Sequence, residues 1–267
     1  MESMFTVNDK IVLVTGGSRG LGLYAAHALL VAGASQVYIS SRKAIECDKS
    51  AKALNAIPGV KGKAIPIAGN FSTLDGVKTV MEFVKTNSGG KLDIVIANAG
   101  TTWGAPFEKH LPDMLDKVLD LNLKGVFYTI QQAASLLEAT GTAADPARVI
   151  VVGSIIGLAV TGGGTGTYGY LSSKAAVHHL SKALAVELGP RHINVNVIAP
   201  GFFPTKMGNG LINMIGTETL AEVNPTGRLG LPEDIEGAVL YLCSKAGAYI
   251  NGVVLPIDGG QHLVSKL

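Results

Sequence analysis

The feature that most constrains the fold is a glycine-rich turn between a short apolar run and a helical pattern. Residues 10–15 are apolar and β-branched, which is typical of a strand buried on both faces of a parallel sheet. The turn follows with Gly16, Gly20 and Gly22, and residues 21–32 then have a helical pattern. In such a turn, backbone N–H groups can approach a pyrophosphate at the helix N-terminus. An ordinary glycine turn is the alternative, but the flanking elements favour a dinucleotide site.

Strand and helix patterns alternate along the rest of the chain, and no linker separates two halves. We predict one domain over residues 1–267, with an α/β fold. Its core is a single Rossmann-type doubly wound parallel sheet of about seven strands in the order 3-2-1-4-5-6-7, with helices on both faces. Pro66 falls in the third strand and indicates an edge position. The further strands are predicted at residues 36–40, 63–68, 92–97, 148–152, 193–198 and 252–257, and the further helices at 43–56, 73–86, 111–137, 168–188 and 232–244.

Composition limits the classes of partner. The chain is 47% hydrophobic and 16% charged, and its net charge of +2 comes without a basic block, which argues against nucleic-acid binding. Cys47 and Cys243 lack metal-ligand spacing, as do the six histidines, so no metal is expected and both thiols are predicted to be buried. Residues 1–9 lack a signal pattern, and the most apolar stretch, 149–160, is too short to span a bilayer. We therefore expect a cytoplasmic protein that does not bind membranes.

The end of the second strand carries cations instead of a carboxylate. Ser41 and Arg42 lie about twenty residues past the glycine turn, where an acidic residue would bind the ribose hydroxyl of NAD and an arginine would bind the extra phosphate of NADP. Arg19, within the glycine turn, is a second cation in reach of that phosphate. A solvated basic turn is the alternative. The pattern favours NADP(H) as the cofactor.

Tyr170 and Lys174 are spaced for catalysis. Residues four apart lie on one face of a helix, and a neighbouring ammonium favours the phenolate and lowers the pKa of a tyrosine. A tyrosine tuned in this way can act as a general acid or base. The pair is weak evidence alone, because this spacing also occurs by chance. Tyr168 lacks such a partner, since the residue four positions on is Ser172.

Further polar candidates lie at two strand ends and inside one helical pattern. Ser154 comes just after the fifth strand, at the sheet edge where ligands bind in such folds. Asn122 lies inside a long helical pattern, where an asparagine is unfavourable unless its side chain has a partner. A tolerated core asparagine is the alternative. Residues 98–100, Asn-Ala-Gly, end the fourth strand.

The combined motifs resemble the short-chain dehydrogenase/reductase family. The resemblance covers about residues 7–262, and within the family it is strongest to the NADPH-dependent 3-oxoacyl reductases of the rhamnolipid-synthesis type. It rests on Thr15-Gly16-(x)3-Gly20-Leu21-Gly22, Asn98-Ala99-Gly100, Asn122, Ser154, Tyr170-(x)3-Lys174 and Pro200-Gly201.

The resemblance implies a role for each catalytic candidate. Tyr170 donates a proton to the carbonyl oxygen, and Ser154 hydrogen-bonds the same oxygen. Lys174 lowers the tyrosine pKa and binds the nicotinamide ribose. Asn122 kinks its helix and anchors a water that relays protons from Lys174. The implied cofactor-binding residues are Gly16, Ser18, Arg19, Gly20, Leu21, Gly22, Ser41, Arg42, Asn70, Phe71, Asn98, Ala99, Gly100, Tyr170, Lys174, Pro200, Gly201, Phe203 and Thr205.

Apolar residues on loops near the site indicate the substrate. Residues 202–231 are expected to form a lid, and the pocket should suit an acyl chain or a bulky ketone. These residues could instead contact a second subunit. They are Trp103, Phe202, Phe203, Met207, Leu211, Ile212 and Met214.

We therefore expect NADPH-dependent reduction of a 3-oxoacyl or bulky apolar ketone. The small-molecule substrate would be a ketone or an acyl thioester. Oxidation of a secondary alcohol or polyol stays open, as does a non-catalytic NADP(H)-binding sensor. The resemblance also implies a homodimer or homotetramer that associates through the helices at 111–137 and 168–188.

Overall fold

The computed structural model describes residues 2–160, 166–209 and 215–264. Seven parallel strands form one sheet in the order β3-β2-β1-β4-β5-β6-β7, which confirms the predicted topology and the edge position of the strand with Pro66. The strands are β1 (Ile11–Thr15), β2 (Gln36–Ser41), β3 (Lys63–Ala68), β4 (Ile94–Ala97), β5 (Ala147–Val152), β6 (Ile193–Pro200) and β7 (Val254–Ile257).

Helices connect the strands at nearly the predicted bounds. They are α1 (Gly20–Val31), α2 (Ala44–Asn55), α3 (Leu74–Asn87), α4 (Pro112–Leu119), α5 (Gly125–Glu138), α6 (Tyr168–Leu188), α7 (Thr217–Glu222) and α8 (Pro232–Cys243). Within the described residues, no helix combines the length and apolar character needed to cross a membrane. Both cysteines are buried free thiols, as predicted.

Two apolar layers hold the helices on the sheet. Side chains alternate between the faces along each strand, so Leu13 and Val149 point into one layer while Val12 and Ile150 point into the other. Helices α3, α5 and α6 cover the first layer, and α1, α2 and α8 cover the second. Burial on both faces explains why these strands are apolar runs without polar alternation.

The long helix predicted at 111–137 is interrupted. A π-helical turn, Asp120–Lys124, separates α4 from α5, and Asn122 lies within it, fully buried. Short π segments often occur at functional sites. The structure thus agrees with the helix distortion expected at Asn122.

A partly buried ionic network lies at the amino ends of the central strands. Arg148 is 1% exposed and donates to the carbonyl of Pro146, the carboxylate of Asp145 and the carbonyl of Ser244. Lys10 bridges Asp145 and Asp93 at 2.8 and 3.2 Å. These residues lie at or just before the starts of β1, β4 and β5. The network therefore joins the amino ends of the central strands, and the carboxyl ends stay available for a site.

Candidate active site

The glycine turn is held by residues at the end of β4. The Asn98 side-chain amide donates to the carbonyls of Thr15 and Gly16 at 2.9 and 3.1 Å. The Thr15 hydroxyl accepts from the backbone N–H groups of Asn98 and Ala99 at 3.0 and 2.9 Å. A Cβ on Gly16 would lie 2.7 Å from the Asn98 amide, and its φ is +64°. Only glycine fits this close approach, so Asn98 acts here as a brace for the turn.

Helix α1 presents a free N-terminus at this turn. Its first N–H groups have no intrahelical acceptor, and the residue that precedes it, Arg19, provides no side-chain cap. A Cβ on Gly22 would collide with the Asn98 amide and the Gly16 carbonyl. The turn is thus a bare backbone cradle at the positive end of a helix dipole, which suits a pyrophosphate.

The predicted phosphate-binding residues Arg19 and Arg42, and the neighbouring Lys43, lie beside this cradle. Arg19, Arg42 and Lys43 are all exposed, and none of them forms an ion pair with a described carboxylate. The Ser41 hydroxyl lies 3.1 Å from the buried Cys47 sulfur. The end of β2 therefore carries positive charges that no described carboxylate neutralises.

The remaining predicted cofactor residues surround the turn. The Ser18 carbonyl accepts from Ser50 of α2 at 2.8 Å, and Leu21 lies in the first turn of α1. The Thr205 methyl lies 3.4 Å from the place of a Cβ on Gly20. Pro200 ends β6, and the N–H of the following glycine, Gly201, donates to the Ile257 carbonyl at 3.0 Å.

Two aromatic residues of the predicted cofactor-binding set have buried side chains. Phe71 is 3% exposed and packs in the core, so only its backbone is available for a cofactor. Phe203 is 5% exposed and packs in the core against Gly230. Its ring is therefore a core element. Asn70 is exposed, and its side chain accepts from the Ser72 hydroxyl at 2.9 Å.

The predicted catalytic residues converge at the end of β5. Tyr170 and Ser154 are joined by a side-chain hydrogen bond. The Lys174 ammonium lies 5.5 Å from the centre of the Tyr170 ring, and it donates to the Val152 carbonyl at 2.7 Å. Gly100 lies against this ammonium, since a Cβ there would be 3.9 Å from Lys174 Nζ. The site thus holds an acid, a hydroxyl and a cation.

The net pKa of Tyr170 is raised in this structure, opposite in direction to the lowering expected from its pairing with Lys174. Burial raises the pKa of Tyr170, and only the hydrogen bond from Ser154 opposes that shift. Burial also lowers the pKa of Lys174 to about 8. Desolvation disfavours the charged form of both groups, and it is the largest cause of each shift. Tyr170 is therefore a neutral phenol at pH 7, which is the form that can donate a proton.

Asn122 ties the loop after β4 to the catalytic helix. Its side chain accepts from the Thr101 N–H at 2.8 Å and donates to the Thr101 carbonyl at 2.9 Å. It also donates to the Ser173 hydroxyl at 3.0 Å, which in turn donates to the Tyr170 carbonyl at 2.7 Å. These partners satisfy the amide of Asn122 and steady the helix turn that carries Tyr170. The water relay to Lys174 stays a prediction.

The predicted lid has a small core of its own. Phe202 packs with Leu220 and Leu229, and Met207 is exposed. Trp103 lies edge-to-face on His110, 4.9 Å between ring centres. The other three residues of the predicted apolar set, Leu211, Ile212 and Met214, lie outside the described residues.

His178, which the sequence did not mark as a site residue, reaches the site. It is buried one turn after Lys174, and its Nε2 accepts from the Ser154 N–H at 3.4 Å. The four-residue spacing in the sequence could have indicated this contact, because residues 170, 174 and 178 share one helix face. Within the described residues no group of three or more histidine, cysteine or acidic side chains could hold a metal.

Comparison with known proteins agrees with this geometry. The family model described as short chain dehydrogenase matches residues 10–215. The chain belongs to the short-chain dehydrogenase family. This is a family of oxidoreductases that interconvert alcohols and ketones.

Several members of the short-chain dehydrogenase family resemble the chain over its full length. A rhamnolipids biosynthesis 3-oxoacyl-[acyl-carrier-protein] reductase from Pseudomonas aeruginosa is 42% identical, covering 98% of this chain and 100% of that protein. A sorbose reductase from Schizosaccharomyces pombe is 34% identical, covering 97% and 98%.

Solved structures of short-chain dehydrogenases agree. The Pseudomonas aeruginosa RhlG/NADP active-site complex has a TM-score of 0.90 at 42% identity, covering 98% of this chain and 100% of that chain. A Burkholderia cenocepacia gluconate 5-dehydrogenase in complex with NADP and tartrate has a TM-score of 0.88 at 26% identity, covering 98% and 99%.

Proposed function

We propose that the protein is an NADPH-dependent carbonyl reductase that uses Tyr170 as its proton donor. The observation that carries this proposal is the neutral Tyr170 hydroxyl, which is hydrogen-bonded to Ser154 and lies beside Lys174. These residues lie at the carboxyl ends of the strands, as the glycine turn does. Tyr170 is protonated at pH 7, so in the reductive direction it holds the proton that the product alcohol needs.

NADP(H) is the cofactor in this proposal. The bare cradle at Gly16, Gly20 and Gly22 takes the pyrophosphate, and Arg19 and Arg42 take the extra phosphate on the ribose. Both arginines are exposed without an acidic partner, as this role requires. The NADP complexes of two similar proteins support the choice. When bound, NADPH supplies the hydride.

The residues of the chain bind and protonate the carbonyl oxygen. The Ser154 hydroxyl donates a hydrogen bond to that oxygen and aligns it with the Tyr170 hydroxyl. Tyr170 transfers its proton as the oxygen becomes an alkoxide. The Lys174 ammonium then stabilises the phenolate that is left, because opposite charges attract strongly in a buried site. Asn122 holds the helix turn that carries Tyr170.

The substrate in this proposal is an apolar ketone, with a 3-oxoacyl thioester as the first candidate. Residues 202–231 act as the lid, and Phe202 with Leu220 and Leu229 forms its core. The 42% identical relative is named as a 3-oxoacyl reductase. Oxidation of a polyol is the second candidate, because other relatives are named a sorbose reductase and a 2-dehydro-3-deoxy-D-gluconate 5-dehydrogenase.

The two candidates separate in one assay. NADPH oxidation is measured with 3-oxoacyl thioesters of increasing chain length, cyclic and aromatic ketones, and sorbose. NADP⁺ reduction is measured with the matching alcohols and polyols. We expect the highest kcat/KM for an apolar ketone with NADPH. Higher values for a sugar or polyol would favour the second candidate, and no turnover in either direction would contradict the proposal.

Arg42→Asp should shift the coenzyme preference toward NADH. The carboxylate would repel the extra phosphate of NADPH and accept a hydrogen bond from the ribose hydroxyl of NADH. We expect a loss of about tenfold or more in kcat/KM with NADPH, since each lost charged contact contributes about 1.4 kcal/mol or more. Steady-state kinetics with both coenzymes measure it.

Lys52→Asp is the matched control for Arg42→Asp. Lys52 is exposed in the last turn of α2, away from the end of β2. The same charge change there should leave the coenzyme preference as it is. Unchanged selectivity in Arg42→Asp would count against the phosphate-binding role.

The protein is also proposed to form a homodimer or homotetramer. An apolar cleft lies between α5 and α6, and its lining residues include Phe127, Ala134, Leu184 and Leu188. These two helices are the ones expected to associate. A light-scattering mass equal to one subunit would contradict the proposal.

A further inference from the structure

Three side chains of α6 hold the carboxyl end of β5. Tyr170, Lys174 and His178 follow one another at intervals of four residues, so they share one face of the helix. Tyr170 bonds the Ser154 hydroxyl, and Lys174 donates to the Val152 carbonyl. The third residue contacts the backbone of the same turn.

His178 completes this attachment with an acceptor. It is 5% exposed, and its Nε2 accepts from the Ser154 N–H at 3.4 Å. Lys174 thus donates to the carbonyl of Val152, the residue before Gly153. His178 accepts from the N–H of Ser154, the residue after it. A bond of this length is weak by itself, so the shape of the ring also has to contribute.

The imidazole ring fills the space on both sides of Ser154. A Cβ on Gly153 would overlap His178 Nε2, and a Cβ on Gly157 would lie 2.7 Å from His178 Cε1. The Gly157 N–H donates to the Ser154 carbonyl at 3.0 Å and closes the turn. The two glycines lie against the ring, so the ring determines the path of the backbone that presents the Ser154 hydroxyl.

The ring is neutral in this environment. Burial lowers the pKa of His178 to about 4, and the nearby charges of Lys174 and Lys182 act in the same direction. A neutral imidazole has one donor and one acceptor nitrogen, so acceptance at Nε2 leaves the proton on Nδ1. Nδ1 forms no hydrogen bond of good geometry among the described residues, but the Gly157 backbone is close enough to oppose the lowering of the pKa in part. A poorly paired buried donor is costly, and an apolar residue of similar size would avoid that cost.

We propose that His178 is a positioning residue, whose ring and Nε2 hold the Gly153–Gly157 turn so that the Ser154 hydroxyl stays aligned with Tyr170. The inference rests on the proposed carbonyl reduction. His178 does not touch the substrate in this role, and it acts through Ser154.

A double-mutant cycle with Ser154 tests the inference. We expect His178→Leu to lower kcat by about tenfold, the size of one lost hydrogen bond, with KM for NADPH unchanged. In a Ser154→Ala background the same substitution should change kcat by no more than about twofold, because the group that His178 positions is absent. His178→Gln keeps an acceptor and should stay within about threefold of the parent kcat.

His179→Leu is the matched control, because His179 is the next residue and is exposed. It should leave kcat unchanged, and thermal unfolding is recorded for every variant. If His178→Leu does not fold, His178→Ala, which also lacks an acceptor, replaces it in the cycle with the same expectation.

Two results would overturn this inference and leave the proposed function standing. The first is an equal loss of kcat from His178→Leu in both backgrounds, and the second is a folded His178→Gln no more active than His178→Leu. Absence of ketone reduction by the unmodified protein would instead overturn the proposed function, and the inference with it.

Discussion

Tyr170→Phe is expected to lower kcat for ketone reduction by about 10²–10⁴-fold, the usual contribution of a positioned general acid. The substitution removes the only proton that the phenol can donate and leaves the ring in place. Ser154 and Lys174 keep their positions, and the glycine turn is untouched. NADPH binding, followed by fluorescence titration, should therefore stay within about threefold of the parent value.

Tyr168→Phe is a control on the same helix. Tyr168 lies two residues earlier, is 42% exposed, and packs edge-to-face on Phe107 through its ring. Loss of its hydroxyl should leave kcat unchanged. A Tyr170→Phe enzyme with full activity would remove Tyr170 as the proton donor.

Lys174→Met should lower kcat/KM by about 10²–10³-fold, the range found when a preorganised electrostatic donor is removed. Methionine has a similar length, so the substitution removes the charge with little change in packing. The Val152 carbonyl loses its donor, and the Tyr170 phenolate loses its counter-charge. Stopped-flow or steady-state NADPH oxidation measures the effect. Lys182→Met, on the exposed side of α6, should have no such effect, and equal losses in both variants would contradict the assignment.

The pH dependence of the parent enzyme should reflect the same lysine. Burial lowers the Lys174 pKa to about 8, and a plot of kcat/KM for NADPH reports groups of the free enzyme. Lys174 is charged below this pKa and loses its charge above it, so kcat/KM should fall as the pH rises through about 8. Tyr170 has a raised pKa and stays protonated in this range. The fall should be absent in Lys174→Met.

Much of the site could be predicted because its signals are local. The spacing of Gly16, Gly20 and Gly22 lies within one turn, and Tyr170 and Lys174 lie within one helix. Their geometry follows from backbone periodicity alone. The strand order followed from regular alternation of strand and helix patterns, which permits few topologies.

What the sequence could not predict depends on residues far apart in the chain. Phe71 and Phe203 are cofactor-binding candidates through the family resemblance, and the side chain of each packs in the core among side chains from other elements. The Tyr170 pKa depends on how much protein surrounds the phenol, and a four-residue spacing gives no information about that.

The sequence alone therefore determined the sheet, the glycine cradle and the shared helix face of Tyr170 and Lys174, since short-range backbone geometry specifies all three. Only the tertiary structure decided the direction of the tyrosine pKa, the burial of Arg148 beneath the central strands and the contact of His178 with the turn at Ser154. Each of these depends on desolvation or on contacts between segments distant in the chain.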